Sequence, residues 1–137
     1  MKIHNLLVVE DDRHVLRALA RMLRSTGYVT WTVHSVEGVL DLPREFDAGV
    51  FDIELEDGDG VTLARRLHDA GRVRRVIFFT GCTDPERLRA ARSIGEVVLK
   101  GTSPQLLVDA LARQGSRESG TVQLDPWLAQ EFELESA

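Results

Sequence analysis

The chain has 137 residues, an apolar fraction of 43% and a formal net charge of −5. This length suits one domain with a short appendage, and the apolar content is sufficient for a buried core. The acidic balance argues against direct nucleic-acid binding, which needs a basic surface. A single cysteine excludes an internal disulfide framework. The sequence shows neither a signal peptide nor an apolar run of about 18 residues that could span a membrane, so we expect a cytoplasmic protein.

The first half of the chain is predicted to alternate between strands and helices. An apolar strand over residues 5–9 precedes a helix whose apolar residues recur at helical spacing and which ends before Gly27. A weakly alternating strand over residues 28–33 leads to a short helix ended by Pro43. A third apolar strand follows over residues 48–52.

The second half continues this alternation. The acidic, glycine-containing segment 54–60 is typical of a loop and precedes a third helix. Strands four and five are predicted over residues 73–79 and 96–99. Five strand–helix units in strict alternation predict an α/β fold with a doubly wound parallel sheet. The helices after the last two strands each open with a cap residue and a proline, at Asp84-Pro85 and Ser103-Pro104.

We assign residues 1–114 to this domain and residues 115–137 to an appendage. The last helix of the domain is predicted to end at Arg113, and the glycine and serine residues that follow it predict a linker. Beyond the linker, Asp125-Pro126 repeats the cap–proline signature. Two interpretations stay open: a disordered terminus, or a short amphipathic helix that docks on the domain or holds a homodimer together.

Polar side chains follow four of the predicted strands at the point where each strand ends. Glu10 and Asp11 follow strand one, and Asp52 closes strand three. Ligands of such sheets bind beyond the carboxyl ends of the strands, so three carboxylates converge if these strands are neighbours. Crowded carboxylates repel one another unless a cation neutralises them, and hard oxygen ligands suit Mg²⁺ or Ca²⁺. Thr80 and Lys100 end strands four and five, which completes the parts of an aspartyl-phosphate site.

Each of these residues is a weak signal alone, because a single Asp after a strand is usually a turn residue or a helix cap. The ordered set of an acid pair, an aspartate, a threonine and a lysine, each at the end of a strand, is a stronger signal. Lys100 adds weight, since only Lys2 and Lys100 are lysines among the 17 basic residues of the chain. A compact ammonium group suits a phosphoryl oxygen, whereas the arginine fork is bulkier and planar.

With this set of residues, the chain resembles the receiver domain of bacterial two-component response regulators. The resemblance covers residues 3–114 and implies a flavodoxin-like fold with the strand order 2-1-3-4-5. The matched stretches are 6–12, 51–55 with Gly60 eight residues after Asp52, 79–81 and 99–100.

The resemblance also implies a role for each site residue. Asp52 would accept a phosphoryl group from a histidine kinase or a phosphotransfer protein. Thr80 would bind a phosphoryl oxygen, and Lys100 would pair with the phosphoryl group or the free carboxylate. Such a protein signals through contact with a protein target and promotes only its own phosphotransfer and dephosphorylation. A Mg²⁺ ion would be held by Glu10, Asp11, Asp52 and the backbone carbonyl of Glu54.

Three positions depart from the family pattern. The proline usually found four residues after the phosphoacceptor is Glu56, the aromatic residue three before the lysine is Val97, and the proline after the lysine is Gly101. The interval from Thr80 to Lys100 is also short, which implies a trimmed fourth helix or loop. These departures leave the site chemistry intact and predict a smaller conformational change in strand five.

Two other readings of the chain stay open. In the first, the domain no longer switches by phosphorylation and serves as a constitutive interaction module, which the intact site residues argue against. In the second, the chain is a metal-dependent phosphatase or nuclease of the toprim type, which would use Glu10 together with Asp57 and Asp59. These two aspartates lie among glycines and are more typical of turns.

Overall fold

The computed structural model of the protein describes residues 3–42 and 44–119, with side chains described through residue 113. Strands and helices alternate along this part of the chain. The strands are β1 (Asn5–Val9), β2 (Val29–Val33), β3 (Phe46–Phe51), β4 (Glu54–Leu55), β5 (Gly58–Asp59), β6 (Val73–Thr80) and β7 (Glu96–Leu99). The helices are α1 (Arg13–Ser25), α2 (Val36–Leu40), α3 (Gly60–Asp69), α4 (Pro85–Arg92) and α5 (Gln105–Ser119).

Five of the strands form one parallel sheet in the order β2-β1-β3-β6-β7. Counted among these five alone, the order is 2-1-3-4-5, so the predicted doubly wound α/β fold is confirmed. The remaining strands, β4 and β5, pair with each other as a small antiparallel hairpin between β3 and α3. The sequence predicts only a loop there, because strands of two residues are too short to show an alternating pattern.

The core lies in two layers, one on each face of the sheet. Successive residues of a strand point to opposite faces, so β1 contributes to both layers. Leu6 and Val8 belong to a buried cluster that includes residues of α1 and α5. Leu7 and Val9 belong to a second cluster that includes residues of α2, α3 and α4. A central strand buried on both faces has no polar alternation, which explains the continuous apolar run in its sequence.

The two cap–proline signatures are found at helix starts. Asp84 Oδ1 accepts a hydrogen bond of 3.1 Å from the Glu86 amide, and Pro85 is the first residue of α4. Ser103 Oγ accepts one of 3.2 Å from the Gln105 amide at the start of α5. Each side chain satisfies a backbone donor that has no partner within its own helix.

The last helix is longer than the sequence predicts. It ends at Ser119 and not at Arg113, so residues 115–119, predicted as part of a linker, are helical. A helix that is already nucleated extends at low cost, and a glycine such as Gly115 weakens it by only about 1 kcal/mol. A local glycine–serine composition was therefore insufficient to place the end of this helix.

Residues 120–137 lie outside the described part of the chain, and so does the appendage predicted at Asp125-Pro126. The domain boundary after residue 114 stays a prediction. None of the helices formed by the described residues has the length and apolar composition that crossing a membrane requires.

Candidate functional site

The sheet brings the carboxylates of strands one and three to the same place. β1 and β3 are neighbours, and Val9 lies opposite Phe51 in the register. The ladder continues past the strand ends, because the Asp52 amide donates a hydrogen bond of 3.1 Å to the Val9 carbonyl. On the other side of β1, the Glu10 amide donates one of 3.1 Å to the carbonyl of Val33. These backbone hydrogen bonds hold Glu10 and Asp52 at the ends of two neighbouring strands, β1 and β3, on the same side of the sheet.

Three carboxylates form a compact acidic cluster there. Glu10, Asp11 and Asp52 each offer an oxygen, and these oxygens all lie within 4.8 Å of one another. Glu10 is 2% exposed and Asp52 is 7% exposed, whereas Asp11 is half-buried. An all-oxygen donor set at this spacing fits a hard divalent cation, which prefers carboxylate ligands and retains several waters. The predicted convergence of the three side chains is therefore present in the structure.

Asp52 is held by three donors that come from different parts of the chain. Thr80 Oγ1, at the end of β6, donates to Asp52 Oδ1 at 2.7 Å. The Glu54 amide donates to the same oxygen at 3.3 Å. Lys100 Nζ, directly after β7, donates to the other oxygen, Oδ2, at 2.8 Å. The hydroxyl and the ammonium group predicted from the strand ends thus both reach the carboxylate of Asp52.

Lys100 also bridges the two buried acids. Its Nζ lies 2.6 Å from Glu10 Oε1 and 2.8 Å from Asp52 Oδ2. Burial raises the pKa of Glu10 from 4.5 to about 7, although the hydrogen bond from Lys100 works against this shift. Burial by itself would lower the pKa of Lys100, but its hydrogen bonds to Asp52 and Glu10 outweigh that effect and the pKa is raised. Lys100 therefore stays charged between the two acids.

Gly60 permits the close approach of α3 to the end of β3, where Asp52 lies. A Cβ atom on this residue would lie 1.7 Å from the backbone oxygen of Asp52. The Gly60 amide instead donates a hydrogen bond of 2.8 Å to the Ile53 carbonyl. Its position eight residues after Asp52, noted from the sequence, therefore has a steric reason.

Arg87 on α4 is a site neighbour that the sequence analysis missed. Its Nη1 lies 3.3 Å from Glu54 Oε2, and its Nη2 lies 3.2 Å from Asp59 Oδ1. The same Nη2 donates to the backbone carbonyl of Ile53 at 3.2 Å. The side chain thus contacts the segment that follows Asp52. No local sequence signal marks this residue, since its partners lie about thirty positions earlier and it is one arginine of many.

Asp57 and Asp59 serve local structure. Asp57 accepts hydrogen bonds from the backbone amides at the start of α2, at 3.0 and 3.4 Å, and the first of these, from Val36, is the main reason that its pKa is lowered. Asp59 caps α3 through the Val61 amide at 3.2 Å. Burial would raise the pKa of Asp59, but hydrogen bonds from Thr62, Val61 and Arg87 outweigh it. Neither aspartate belongs to the acidic cluster, which disfavours the toprim reading.

The three departures from the family pattern lie around the site rather than in it. Glu56 is exposed at the tip of the β4–β5 hairpin. Val97 is partly buried and packs against the core cluster on the α2, α3 and α4 face. Gly101 is exposed, and a Cβ atom placed on it would meet no other atom within 4 Å. None of the three is a partner of Asp52 in the hydrogen bonds described above.

A parallel sheet with this set of side chains at its carboxyl end defines a class of signalling domains. The model of the response regulator receiver domain family matches residues 6–112, and the chain belongs to this family. Membership of this family supports a role as a signalling phosphoacceptor.

Curated proteins and solved structures agree with this assignment. The chain is 34% identical over 79 residues to the photosynthetic apparatus regulatory protein RegA of Cereibacter sphaeroides, a match that covers 56% of this chain and 43% of the relative. The chain thus spans less than half the length of that relative. A CheY-like receiver domain from Methanospirillum hungatei superposes with a TM-score of 0.76 at 22% identity, covering 86% of this chain and 98% of the other.

A second solved structure carries chemical information about its own site. It is a response regulator from Burkholderia pseudomallei with a phosphorylated aspartic acid, a calcium ion and citrate. It superposes with a TM-score of 0.72 at 24% identity, covering 85% of this chain and 71% of the other. At these levels of identity, both solved structures establish the shared fold.

Proposed function

We propose that Asp52 accepts a phosphoryl group from a phosphohistidine of a histidine kinase or of a phosphotransfer protein. The observation that carries the proposal is the arrangement of Thr80 and Lys100, which donate to different oxygens of the Asp52 carboxylate at 2.7 and 2.8 Å. A structural aspartate at a strand end needs no such pair of donors. Both donors come from the ends of other strands, so the arrangement is held by the sheet itself.

The proposed step exchanges one bond to phosphorus for another. An oxygen of Asp52 attacks the phosphorus atom, a P–O bond forms, and the P–N bond to the imidazole of the donor histidine breaks. The electron pair of the P–N bond stays on the ring nitrogen, which takes up one proton to give a neutral imidazole, and Asp52 becomes an acyl phosphate. Such a transfer depends mainly on alignment and on neutralising negative charge, which suits a weak nucleophile held by fixed donors.

Lys100 and Thr80 have distinct roles in this proposal. Lys100 places a compact positive charge beside the oxygens on which negative charge accumulates during the transfer. Thr80 carries a hydroxyl that can rotate from the carboxylate to a phosphoryl oxygen once the acyl phosphate has formed. Because Thr80 is fully buried, its rearrangement would affect the end of β6 and the loop that follows.

The acidic cluster fits a Mg²⁺ ion held by Glu10, Asp11 and Asp52, with the backbone carbonyl of Glu54 as a further ligand. When bound, Mg²⁺ supplies charge neutralisation and orients the phosphoryl oxygens. The three side chains would act as its ligands, because each presents a carboxylate oxygen within 4.8 Å of the other two. The two buried members, Glu10 and Asp52, are held in place by Lys100.

The broader function follows from this chemistry. We infer that the phosphorylated domain signals through contact with a protein target, in the cytoplasm, and that it acts on no substrate other than its own acyl phosphate. The similarity to a response regulator with a phosphorylated aspartic acid supports the same reading. The constitutive interaction module is the alternative that an unreactive Asp52 would favour.

The test is to incubate the full chain with acetyl phosphate and Mg²⁺ and to measure its intact mass. We expect a gain of one phosphoryl group in the wild-type protein and none in Asp52→Asn. The matched control is Asp69→Asn, the same change at an exposed position at the end of α3, which should gain the group normally. A phosphoryl gain by Asp52→Asn would contradict the assignment, and no gain by the wild type would favour the interaction module.

A further inference from the structure

Arg87 connects helix α4 to the segment that follows the phosphoacceptor. Its guanidinium group donates to the Ile53 carbonyl at 3.2 Å and lies 3.2 Å from Asp59 Oδ1 and 3.3 Å from Glu54 Oε2. One side chain thus joins α4 to a backbone carbonyl, to a residue of β4 and to the residue that caps α3. An arginine suits this position because its planar fork presents several donors in fixed directions.

The backbone contact reaches Asp52 through a single peptide unit. The carbonyl of Ile53 and the amide of Glu54 belong to the same peptide bond. Its oxygen accepts from Arg87 at 3.2 Å and from the Gly60 amide at 2.8 Å. Its N–H donates to Asp52 Oδ1 at 3.3 Å. A cationic donor on the oxygen polarises the peptide and makes its N–H a better donor, because hydrogen bonds in a chain strengthen one another.

Helix α4 packs on the core through Ala91, with Leu88 and Ala90 partly buried against the same cluster. Of its eight residues from Pro85 to Arg92, only Ala91 is buried. Elements that bury few apolar side chains shift at a lower free-energy cost than the rest of a domain. The contacts of Arg87 add to this packing and connect α4 to the segment that follows Asp52.

We propose that Arg87 is a positioning residue that couples α4 to the phosphoacceptor through the Ile53–Glu54 peptide. This inference rests on the proposed function of Asp52. In the unphosphorylated protein, Arg87 helps to orient the Glu54 N–H toward Asp52 Oδ1. Conversion of Asp52 to an acyl phosphate adds negative charge and acceptor oxygens next to this N–H, which strengthens the peptide contact. Coupling free energies are reciprocal, so Arg87 favours phosphorylation of Asp52 and phosphorylation in turn tightens the contact between Arg87 and this segment.

The experiment compares Arg87→Ala with Arg89→Ala in the full chain. Arg89 lies on the same helix and is exposed, so its removal changes the net charge equally without touching the peptide. At saturating Mg²⁺ and fixed acetyl phosphate, Arg87→Ala should be phosphorylated about tenfold more slowly than the wild type. A misplacement of about 1 Å can cost up to about 100-fold in rate. Arg89→Ala should react at the wild-type rate.

A spectroscopic readout separates positioning from simple stabilisation. The proton chemical shift of the Glu54 amide reports its hydrogen bond to Asp52, and it should move upfield in Arg87→Ala and stay unchanged in Arg89→Ala. Arg87→Lys keeps the charge but cannot span three acceptors at once, so it should give an intermediate rate and an intermediate shift. If Arg87→Ala is poorly folded, as judged by circular dichroism, Arg87→Lys decides the question.

The possible results either support or overturn the inference. A wild-type rate and an unmoved Glu54 amide in Arg87→Ala overturn it, and so do equal losses in Arg87→Ala and Arg89→Ala. These results leave the proposed function intact, because the wild type still gains a phosphoryl group. Failure of the wild type to gain the group contradicts the proposed function itself, and the Glu54 amide shift then tests the Arg87 contact independently.

Discussion

The two ends of the parallel sheet both carry clusters of charged residues, but the clusters differ in burial. At the carboxyl end, Glu10 and Asp52 are nearly inaccessible and share the ammonium group of Lys100. At the amino end of β6 and β7, a groove is lined by arginines that include Arg92 and Arg113, both of which are exposed. Buried charges must be neutralised by partners in fixed geometry, whereas exposed charges interact mainly with water.

The difference is visible in two ion pairs. Lys100 lies within 2.8 Å of two acids whose side chains are 2% and 8% exposed. Arg113 pairs with Glu96 at the other end of the sheet, where the two side chains are 52% and 29% exposed. We expect substitutions in the buried cluster at the carboxyl end to change both the stability and the rate of phosphorylation. Substitutions in the exposed cluster at the amino end should have little effect on either. Four predictions test this contrast, beginning with the largest effect.

The substitution Gly60→Ala should destabilise the fold by about 3 kcal/mol, because the new Cβ would lie 1.7 Å from the backbone oxygen of Asp52 and the chain has to move. The control is Gly101→Ala, at the same end of the sheet, where the Cβ would meet no atom within 4 Å. Urea unfolding of both variants gives the comparison. Equal stabilities would show that the carboxyl end is less tightly packed than the structure indicates.

The substitution Lys100→Ala should lower stability by about 2 kcal/mol and slow phosphorylation by about 100-fold, because it leaves two buried acids without their shared cation. The loss is smaller than for a fully buried pair, since Lys100 is 26% exposed. Millimolar Mg²⁺ should restore part of the stability but not the rate. Unfolding midpoints with and without Mg²⁺ test this, and an unchanged rate would remove Lys100 from the proposed mechanism.

The buried acid Glu10 should give the stability a dependence on pH. Its pKa is raised by burial from 4.5 to about 7. A raised pKa means that the native state binds the proton more tightly than the unfolded state. The stabilisation that the protonated Glu10 contributes is therefore fully present below about pH 4.5, and it is lost as the pH rises through about 7. In Glu10→Gln, the free energy of unfolding should no longer depend on pH across this window. The exposed control Glu45→Gln should keep the pH dependence of the wild type. Urea titrations at several pH values measure both.

The smallest effect is expected for Arg113→Ala, which breaks the exposed ion pair with Glu96. Exposed pairs typically contribute up to about 1 kcal/mol, so stability should fall by less than that and the phosphorylation rate should stay unchanged. A loss as large as that of Lys100→Ala would mean that the amino end of the sheet carries a structured charge cluster as well.

The convergence of these side chains could be predicted because a parallel sheet brings the ends of its strands together. Asp52, Thr80 and Lys100 each follow an apolar run, and strand boundaries are the positions at which such runs stop. The order of the strands then places Asp52 between Glu10 on one side and Thr80 on the other. Local patterns therefore indicated which strand ends carry polar side chains, and the strand order that the family resemblance implied indicated which of these side chains meet.

Other features depend on packing that no local pattern encodes. The contact of Arg87 with Ile53 spans 34 positions and depends on how α4 is rotated against the hairpin. The bridge between Lys100 and Glu10 depends on the reach of a long side chain across the sheet end. The extension of α5 through Ser119 reflects the cooperativity of a helix rather than the composition of its last residues. Each of these features depends on contacts or cooperativity that extend beyond a local stretch of the sequence.

The central claim is that the phosphoryl group is accepted by Asp52 and by no other carboxylate of the chain. Treatment of the phosphorylated protein with borohydride reduces an acyl phosphate to an alcohol and converts the aspartate that carried it to homoserine. Peptide mass spectrometry then locates the modified position. We predict homoserine at residue 52 alone, in amounts that follow the phosphoryl gain of the intact protein. Homoserine at Asp11, or at any other aspartate in place of Asp52, would contradict the account.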